Sequence, residues 1–334
     1  MISKSKFKIN ETTIRTLFRA AGIDGAKEVY PLGAGEFSAV FGVSAQEREY
    51  VIKIAPNDDE SVLTYEKGMM KAELFWYRQI RENTSIRVPE IFHEDFSRNL
   101  IPTDYFIMEK IPGKPMNQMD FTPAEKTEAV RTLARMAAEI HRIKNDRFGY
   151  LQNGLHDDWY QAIRSMVIHL LEDAGKKRKK SKNGEKLLLD IECHKDLLER
   201  VEARMVNFDL WAPNILCQRK ENGKIDYAWI DPERTFWGDL IADFVALEFP
   251  SDLPDKKATL EAYNSSAETP VVLSKEEQIR YAIAQGYLAL IMEVEKHYRY
   301  TPFHFGWWRN RIVSRLLFTH ARRFSERTNR KSTL

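Results

Sequence analysis

Apolar positions change period several times along this chain, and the changes divide it into two parts. Residues 11–22 carry helical spacing, after which the period falls to two. Val29 to Leu32, Ser38 to Val43 and Tyr50 to Ile54 predict three strands of a meander, separated by Gly33-Ala34-Gly35-Glu36 and by a polar turn from Ser44 to Glu49. Leu63 to Arg81 returns to helical spacing, with Leu63, Met70, Leu74 and Tyr77 on one face. Tyr105 to Met108 predicts a further strand, ended by the breaker Pro112-Gly113. That breaker marks the expected boundary between a small strand-rich lobe, residues 1–111, and a larger helical one, residues 112–334.

The second part opens with a clear helix start. Thr122 can cap, Pro123 fits the first helical position and Glu125 completes a capping box. Val130, Leu133, Ala134, Ala137 and Ile140 keep the spacing as far as His141. Helices are then predicted over 157–173 and 185–202, with a basic loop at 175–184 between them. Ile215 to Gln218 and Ile225 to Ile230 read as strands joined by a turn containing Asn222-Gly223, a strong hairpin signal. Ser274 and Glu277 form another capping box, starting an apolar helix at 275–296, and residues 301–334 read as a basic helical tail.

Composition narrows the class without naming a function. With 334 residues, 43% of them hydrophobic and 30% charged, the chain can build about two cored domains of an ordinary globular protein. A net charge of +2 on that length implies no general affinity for nucleic acid or membrane. Cys193 and Cys217 are too few for a disulfide framework or a zinc site, which suits a reducing compartment. Met1 to Asn10 is polar and basic, without the apolar core of a secretory signal. The longest apolar segment, Tyr281 to Val294, is interrupted by Gln285 and Glu293 and is too short to span a bilayer. A cytoplasmic location is therefore expected.

Against this background a few polar residues stand out. Gly33-x-Gly35 lies between two strands, whereas a dinucleotide fingerprint needs a helix directly after it. Such a loop can be a plain turn, or it can offer backbone N–H groups to phosphates. Lys53 has apolar neighbours on both sides, where an ammonium is costly unless paired. It is either an edge lysine in solvent or a phosphate anchor held by a glutamate of the next helix. Glu73 is the chosen partner, with Glu66 on the same helical face as competitor. Asp209 stands among Phe208, Leu210 and Trp211, an expensive place for a carboxylate without a task. Beside an acceptor hydroxyl it could take the proton, an effect worth about 10²–10⁴-fold in rate. Asn214, five residues on, and Asp231, returned by the hairpin, could together offer a neutral and an anionic oxygen to magnesium.

The order Gly-rich loop, Lys53, Glu73, Asp209-x-x-x-x-Asn214 and Asp231 resembles the aminoglycoside phosphotransferase and choline kinase-like superfamily, relatives of protein kinases that phosphorylate small molecules. Asn207-Phe208-Asp209-Leu210-Trp211-Ala212-Pro213-Asn214-Ile215-Leu216 is similar to that family's HGDLHPGNIL signature. Ile230-Asp231-Pro232-Glu233-Arg234, followed by Trp237-Gly238-Asp239-Leu240-Ile241-Ala242-Asp243, is similar to its IDWE and GDP–DLA signatures. Phe106 to Gly113 looks like its inter-lobe hinge. The likeness spans about residues 28–250. It implies a two-lobed, protein kinase-like α+β fold with ATP or another nucleoside triphosphate in the cleft. By the same resemblance Asp209 is the catalytic base and Asn214 and Asp231 bind Mg²⁺. Gly33, Gly35, Ser38 (where the protein-kinase loop has a third glycine), Lys53 and Glu73 serve the phosphates. The backbone from Glu109 to Ile111 meets the adenine, and Asn207, Asp239 and Asp243 support the catalytic loop. Asn207 replaces the family's histidine; it can still donate and accept, but the loop's support is in question.

The acceptor is less legible. The expected partner is a small molecule with a hydroxyl group: an aminoglycoside-like antibiotic, amino alcohol, sugar or amino acid. Asp157-Asp158 beside Trp159-Tyr160 could favour a cation or simply begin a helix. Tyr298, Tyr300, Trp307 and Trp308 could receive a quaternary ammonium or form a seam between helices. Residues 309–331 carry eight basic residues against one acidic, a poor wall for a polycation. The basic run Lys176 to Lys182 has no interleaved aromatics and reads as a solvated loop, so a nucleic-acid partner is disfavoured. A nucleotide-binding sensor without transfer activity is the alternative function. Monomer and homodimer both remain open.

Overall fold

The computed structural model describes residues 7–32, 37–56 and 62–331. Gly33 and Gly35 lie outside them. The first lobe is built on a five-stranded antiparallel sheet, β1 (Glu28–Pro31), β2 (Ala39–Ala45), β3 (Arg48–Ile54), β4 (Ile91–Asp95) and β5 (Tyr105–Glu109), in the order β1-β2-β3-β5-β4. Strand alternation gives this sheet two different faces. Tyr50, Ile52 and Ile54 of β3, with Tyr105 and Ile107 of β5, pack under helix α1 (Glu11–Ala20) through Ile14, Leu17 and Phe18. Val51, Phe106 and Met108 point the other way, toward helix α2 (Met69–Asn83) and the second lobe. Lys53 shares that second face, between Val40 and Phe106 on the neighbouring strands. A one-residue slip of β3 would turn Lys53 into the α1 core and withdraw Tyr50, Ile52 and Ile54 from it, so the apolar pattern of the strand itself aims the lysine.

The helix expected from Leu63 is interrupted. Thr64–Glu66 forms a 3-10 turn, Gly68 takes the left-handed conformation (φ 72°), and α2 starts only at Met69. Glycine adopts that φ without the steric penalty of a Cβ, so the chain breaks here and re-enters a helix in a new direction. The consequence is spatial. Residues 62–66 leave the small lobe and lie against the large one, where the backbone and hydroxyl of Thr64 both donate to Asp173 at 2.7 Å. Strand β4 was not anticipated, because its alternating His93, Glu94 and Asp95 lack the apolar runs of a central strand.

The second lobe gathers α3 (Pro123–Ile140), α4 (Trp159–Lys176), α5 (Lys182–Cys193), α6 (Lys195–Leu198), α7 (Lys257–Asn264), α8 (Lys275–Arg299) and α9 (Phe305–Lys331). Both predicted capping boxes are formed: Thr122 with Glu125 and Ser274 with Glu277. The basic loop shrinks to 177–181, because Ser181 caps α5 three residues earlier than the periodicity suggested. The helix expected to reach residue 202 breaks at His194, and after the short α6 the chain forms the buried strand β8 (Ala203–Val206). That strand pairs with β7 (Lys144–Asn145) and β11 (Phe236–Gly238), while β6 (Lys114–Pro115), β9 (Ile215–Arg219) and β10 (Ile225–Trp229) form a second small sheet. The two sheets bracket residues 207–214 and 230–235. Among the described residues, no helix is long and apolar enough to cross a membrane.

The chain enters the second lobe through a tight crossing. Gly113 has φ 138°, and a Cβ there would stand 2.8 Å from the Cys217 carbonyl oxygen on β9. Both the backbone conformation and the space demand glycine. Gly113→Ala is therefore expected to cost about 2–3 kcal/mol of stability, read as a lower denaturant midpoint with an unchanged slope.

Candidate active site

Lys53 is almost fully buried and is surrounded by carboxylates from both lobes. Its Nζ lies 2.8 Å from Glu73 Oε2 on α2 and 2.9 Å from Glu233 Oε2, and it also pairs with Asp231. Burial opposes the ammonium charge, but Asp231, Glu233 and Glu73 more than offset it and hold the lysine pKa well above its usual value. The same burial raises Glu73, against the pull of Lys53, and raises Glu233 with the help of Asp231. Three carboxyl groups thus share one ammonium. One ligand oxygen from each of Glu73, Asp231 and Glu233 lies within 4.8 Å of the others, a hard-oxygen set of the kind that suits a divalent cation. Glu66, the competing sequence choice, instead pairs with Arg299 on α8.

Asp231 is positioned by strain and by a tyrosine. It has φ 64°, outside the usual range for a residue with a side chain, and its N–H donates to Tyr77 Oη at 2.8 Å. The preceding Ile230 N–H donates to the Asn214 carbonyl at 2.9 Å, tying the end of the hairpin to its beginning. Asn214 Nδ2 in turn donates to the Asp209 backbone carbonyl (3.1 Å) and to its Oδ2 (3.0 Å). That use of the amide nitrogen leaves the Asn214 side-chain oxygen for a cation. Asp209 is half-buried; burial pushes its carboxyl up to about 6, opposed chiefly by the charge of Arg234. It remains ionised at neutral pH.

The loop carrying Asp209 hangs from a buried frame. Asp243 accepts from the N–H groups of Asn207 and Phe208 and from His141 Nε2, whose Nδ1 contacts Tyr263 Oη at 2.8 Å. Phe208 has φ 59°, a left-handed turn that those two N–H bonds stabilise. Asn207 is fully buried, and its Oδ1 accepts from the Asp209 N–H at 2.8 Å while its Nδ2 reaches Thr235 Oγ1 at 3.4 Å. The asparagine therefore braces the loop directly. Asp239 does not reach the loop: it caps the 3-10 turn Leu240–Val245 and pairs with Arg280 at 2.7 Å. Ser38 is buried at the entry to β2. At the hinge, the Glu109 N–H donates to Glu90 O (2.8 Å) and the Lys110 N–H to Glu49 O (3.2 Å), and the Glu109 side chain pairs with Arg87. Ile111 follows directly, beside Pro112.

Sequence reasoning gave Glu233, Tyr77 and Arg234 no role. Glu233 had a signal, since it stands two residues beyond Asp231 in a segment already singled out. Tyr77 did not, because helical spacing describes it as core, and only the fold brings its hydroxyl to Asp231.

A small antiparallel-sheet lobe and a helical lobe, with a lysine–glutamate pair above an Asp–Asn–Asp constellation, define a kinase-like phosphotransferase fold. Residues 28–268 match the phosphotransferase enzyme family (APH), and the chain belongs to that family of small-molecule phosphotransferases. Solved structures share the fold at low identity. A protein from Haemophilus somnus 129PT whose proposed activity is that of fructosamine-3-kinase aligns with TM-score 0.65 and 15% identity, covering 94% of this chain and 97% of its own. Choline kinase LicA from Streptococcus pneumoniae gives TM-score 0.60 and 14% identity over 92% and 98%. The aminoglycoside phosphotransferase APH(2″)-IIa, in a ternary complex with streptomycin and ATP, gives 0.59 and 19% over 95% and 99%. Among curated proteins, none matches this chain.

Asp243→Asn tests the frame. An amide nitrogen cannot accept from an N–H, so at least one buried donor among Asn207, Phe208 and His141 loses its partner. Equilibrium unfolding is expected to show a loss of about 1–3 kcal/mol, accompanied by reduced phosphotransfer.

Proposed function

We propose that this phosphotransferase moves the γ-phosphoryl group of ATP, or another nucleoside triphosphate, to a hydroxyl of a small molecule in the cleft between residues 1–111 and 112–334. The observation that carries the reading is the placement of Asp209, in contact with Asn214, across from an Asp231 that pairs with Lys53. Lys53, set by Glu73, would anchor the nucleotide phosphates, with Ser38 at the entry to β2 assisting; backbone N–H groups at Gly33 and Gly35, outside the described residues, are the further candidates. The Ile111 N–H would meet the adenine, since the N–H groups of Glu109 and Lys110 are already used within the protein. Mg²⁺, when bound, would be held by the Asn214 amide oxygen and the Asp231 carboxylate, with Glu233 adjoining, and would neutralise phosphate charge.

In the transfer step the acceptor oxygen bonds to the γ-phosphorus while its proton passes to the Asp209 carboxylate. The bond from that phosphorus to the bridging oxygen breaks, and its electron pair leaves with the nucleoside diphosphate. Asn214 orients Asp209 through its amide nitrogen, and Asn207 holds the backbone beneath it. Arg234 keeps the carboxylate ionised against the cost of burial.

Asp209→Asn is expected to lower kcat by about 10²–10⁴-fold with Mg-ATP binding retained in calorimetry, whereas Asp231→Ala weakens nucleotide binding itself. Full activity in Asp209→Asn would remove the assignment of the base. Chelation by EDTA should abolish transfer, and added Mg²⁺ should restore it. Mg-ATP binding without turnover across sugars, amino alcohols, amino acids and antibiotics would favour a nucleotide sensor instead.

A further inference from the structure

Beside Asp209 the two lobes enclose a buried chain of charges: Arg234, Glu295, Arg299 and Glu66. Arg234 and Glu295 approach to 3.3 Å, Arg299 pairs with Glu295 one helical turn away on α8, and Arg299 also pairs with Glu66. Arg234 exerts the largest favourable field on Asp209. Three of the four partners belong to the large lobe. Glu66 comes from the small one, on the short turn held against Asp173, Gln152 and Asn153. Tyr65, beside it, stacks on Tyr150 with ring centroids 5.4 Å apart, and its buried hydroxyl has no hydrogen-bond partner. The phenol therefore fills space next to Arg234 without satisfying a polar group there.

We propose that the acceptor carries an anionic group, carboxylate or phosphate, alongside its hydroxyl, and that this group takes the place of the Glu66 carboxylate on Arg299 while the hydroxyl meets Asp209. The inference rests on Asp209 as the base. Glu295 is fixed between two arginines and sits on a 25-residue helix, so it is the immobile member. Glu66 rides on a three-residue turn ahead of Gly68, and besides Arg299 its carboxylate holds the Leu63 N–H of its own turn at 2.8 Å, so it is the member that can swing away for the loss of one local bond. Without Glu66, two arginines face one glutamate in a buried site, and the uncompensated positive charge selects an anion. A cationic acceptor would instead have to displace an arginine from a fixed pair. The Tyr65 ring beside it gives up no hydroxyl hydrogen bond if it shifts, while the bonds of the turn to Asp173, Gln152 and Asn153 hold its backbone in place.

The test measures phosphotransfer by the full chain on matched acceptors: sugars against sugar phosphates and sugar acids, and amino alcohols against hydroxy acids. Turnover is expected on the anionic member of each pair, and the two anionic arms tell carboxylate from phosphate. Arg299→Lys, which keeps the charge but loses the guanidinium fork, should raise acceptor KM about tenfold or more with a much smaller change in kcat. Glu66→Gln, which removes the competing charge, should lower it. Thermal melting checks that both variants are folded. Preference for neutral or cationic acceptors, or an acceptor KM indifferent to Arg299→Lys, overturns the inference and leaves the phosphotransferase reading standing. Failure to bind Mg-ATP overturns both.

Discussion

One buried ammonium organises this molecule. Lys53 sits on a central strand of the small lobe, yet two of its three carboxylate partners, Asp231 and Glu233, come from the large lobe. An unpaired charge at that depth would be far too costly, and so would the carboxylates without it. The lobes are thus fastened by the same groups that the proposed reading places at the nucleotide phosphates. Such a cluster contributes little net stability compared with apolar packing, but it fixes the relative position of the chain segments that carry it.

The surrounding structure transmits that position to the loop carrying Asp209. Tyr77, one turn beyond Glu73 on α2, takes the Asp231 N–H, and the hairpin β9–β10 returns Asp231 to Asn214. Asn214 then bonds Asp209, and Asp243 with His141 supports the backbone below. Two left-handed residues, Phe208 and Asp231, stand at the ends of this path. Their backbone strain is of the order of 1–3 kcal/mol each, and hydrogen bonds fixed by the fold hold them in place. A second charge chain, Arg234 to Glu66, joins the lobes on the other side of Asp209.

Much of the fold was written in local patterns. The meander β1–β3, both capping boxes and the Asn222-Gly223 hairpin follow from periodicity and turn chemistry alone. The elements that escaped were those without a local signature. β4 alternates half-buried and exposed residues with Phe92 on the exposed side, and β8 is only four buried residues, set beyond a four-residue gap after α6. The turn at 64–66 has helical spacing but is redirected by Gly68, a choice that only packing against α4 explains. Lys53 and Asp209 stand out in the sequence as polar residues in apolar surroundings, Asn214 and Asp231 by spacing and the hairpin, and the fold brings Asp209 to Asn214 and Asp231 to Lys53. Asp239 was grouped with Asp243, yet a helix-borne arginine, Arg280, draws it away from the loop.

The sequence by itself determined the chemistry: a lysine on an apolar strand, and an aspartate, an asparagine and a second aspartate at spacings a hairpin can close. Those follow from residue type and local geometry, which need only a few neighbours along the chain. Tertiary structure decided the partners. Whether Glu73 or Glu66 meets Lys53, what the buried Asn207 braces, and which charges gather beside Asp209 all depend on contacts between residues far apart in sequence. Burial and electrostatic pairing act through space, and no spacing rule along the chain encodes them.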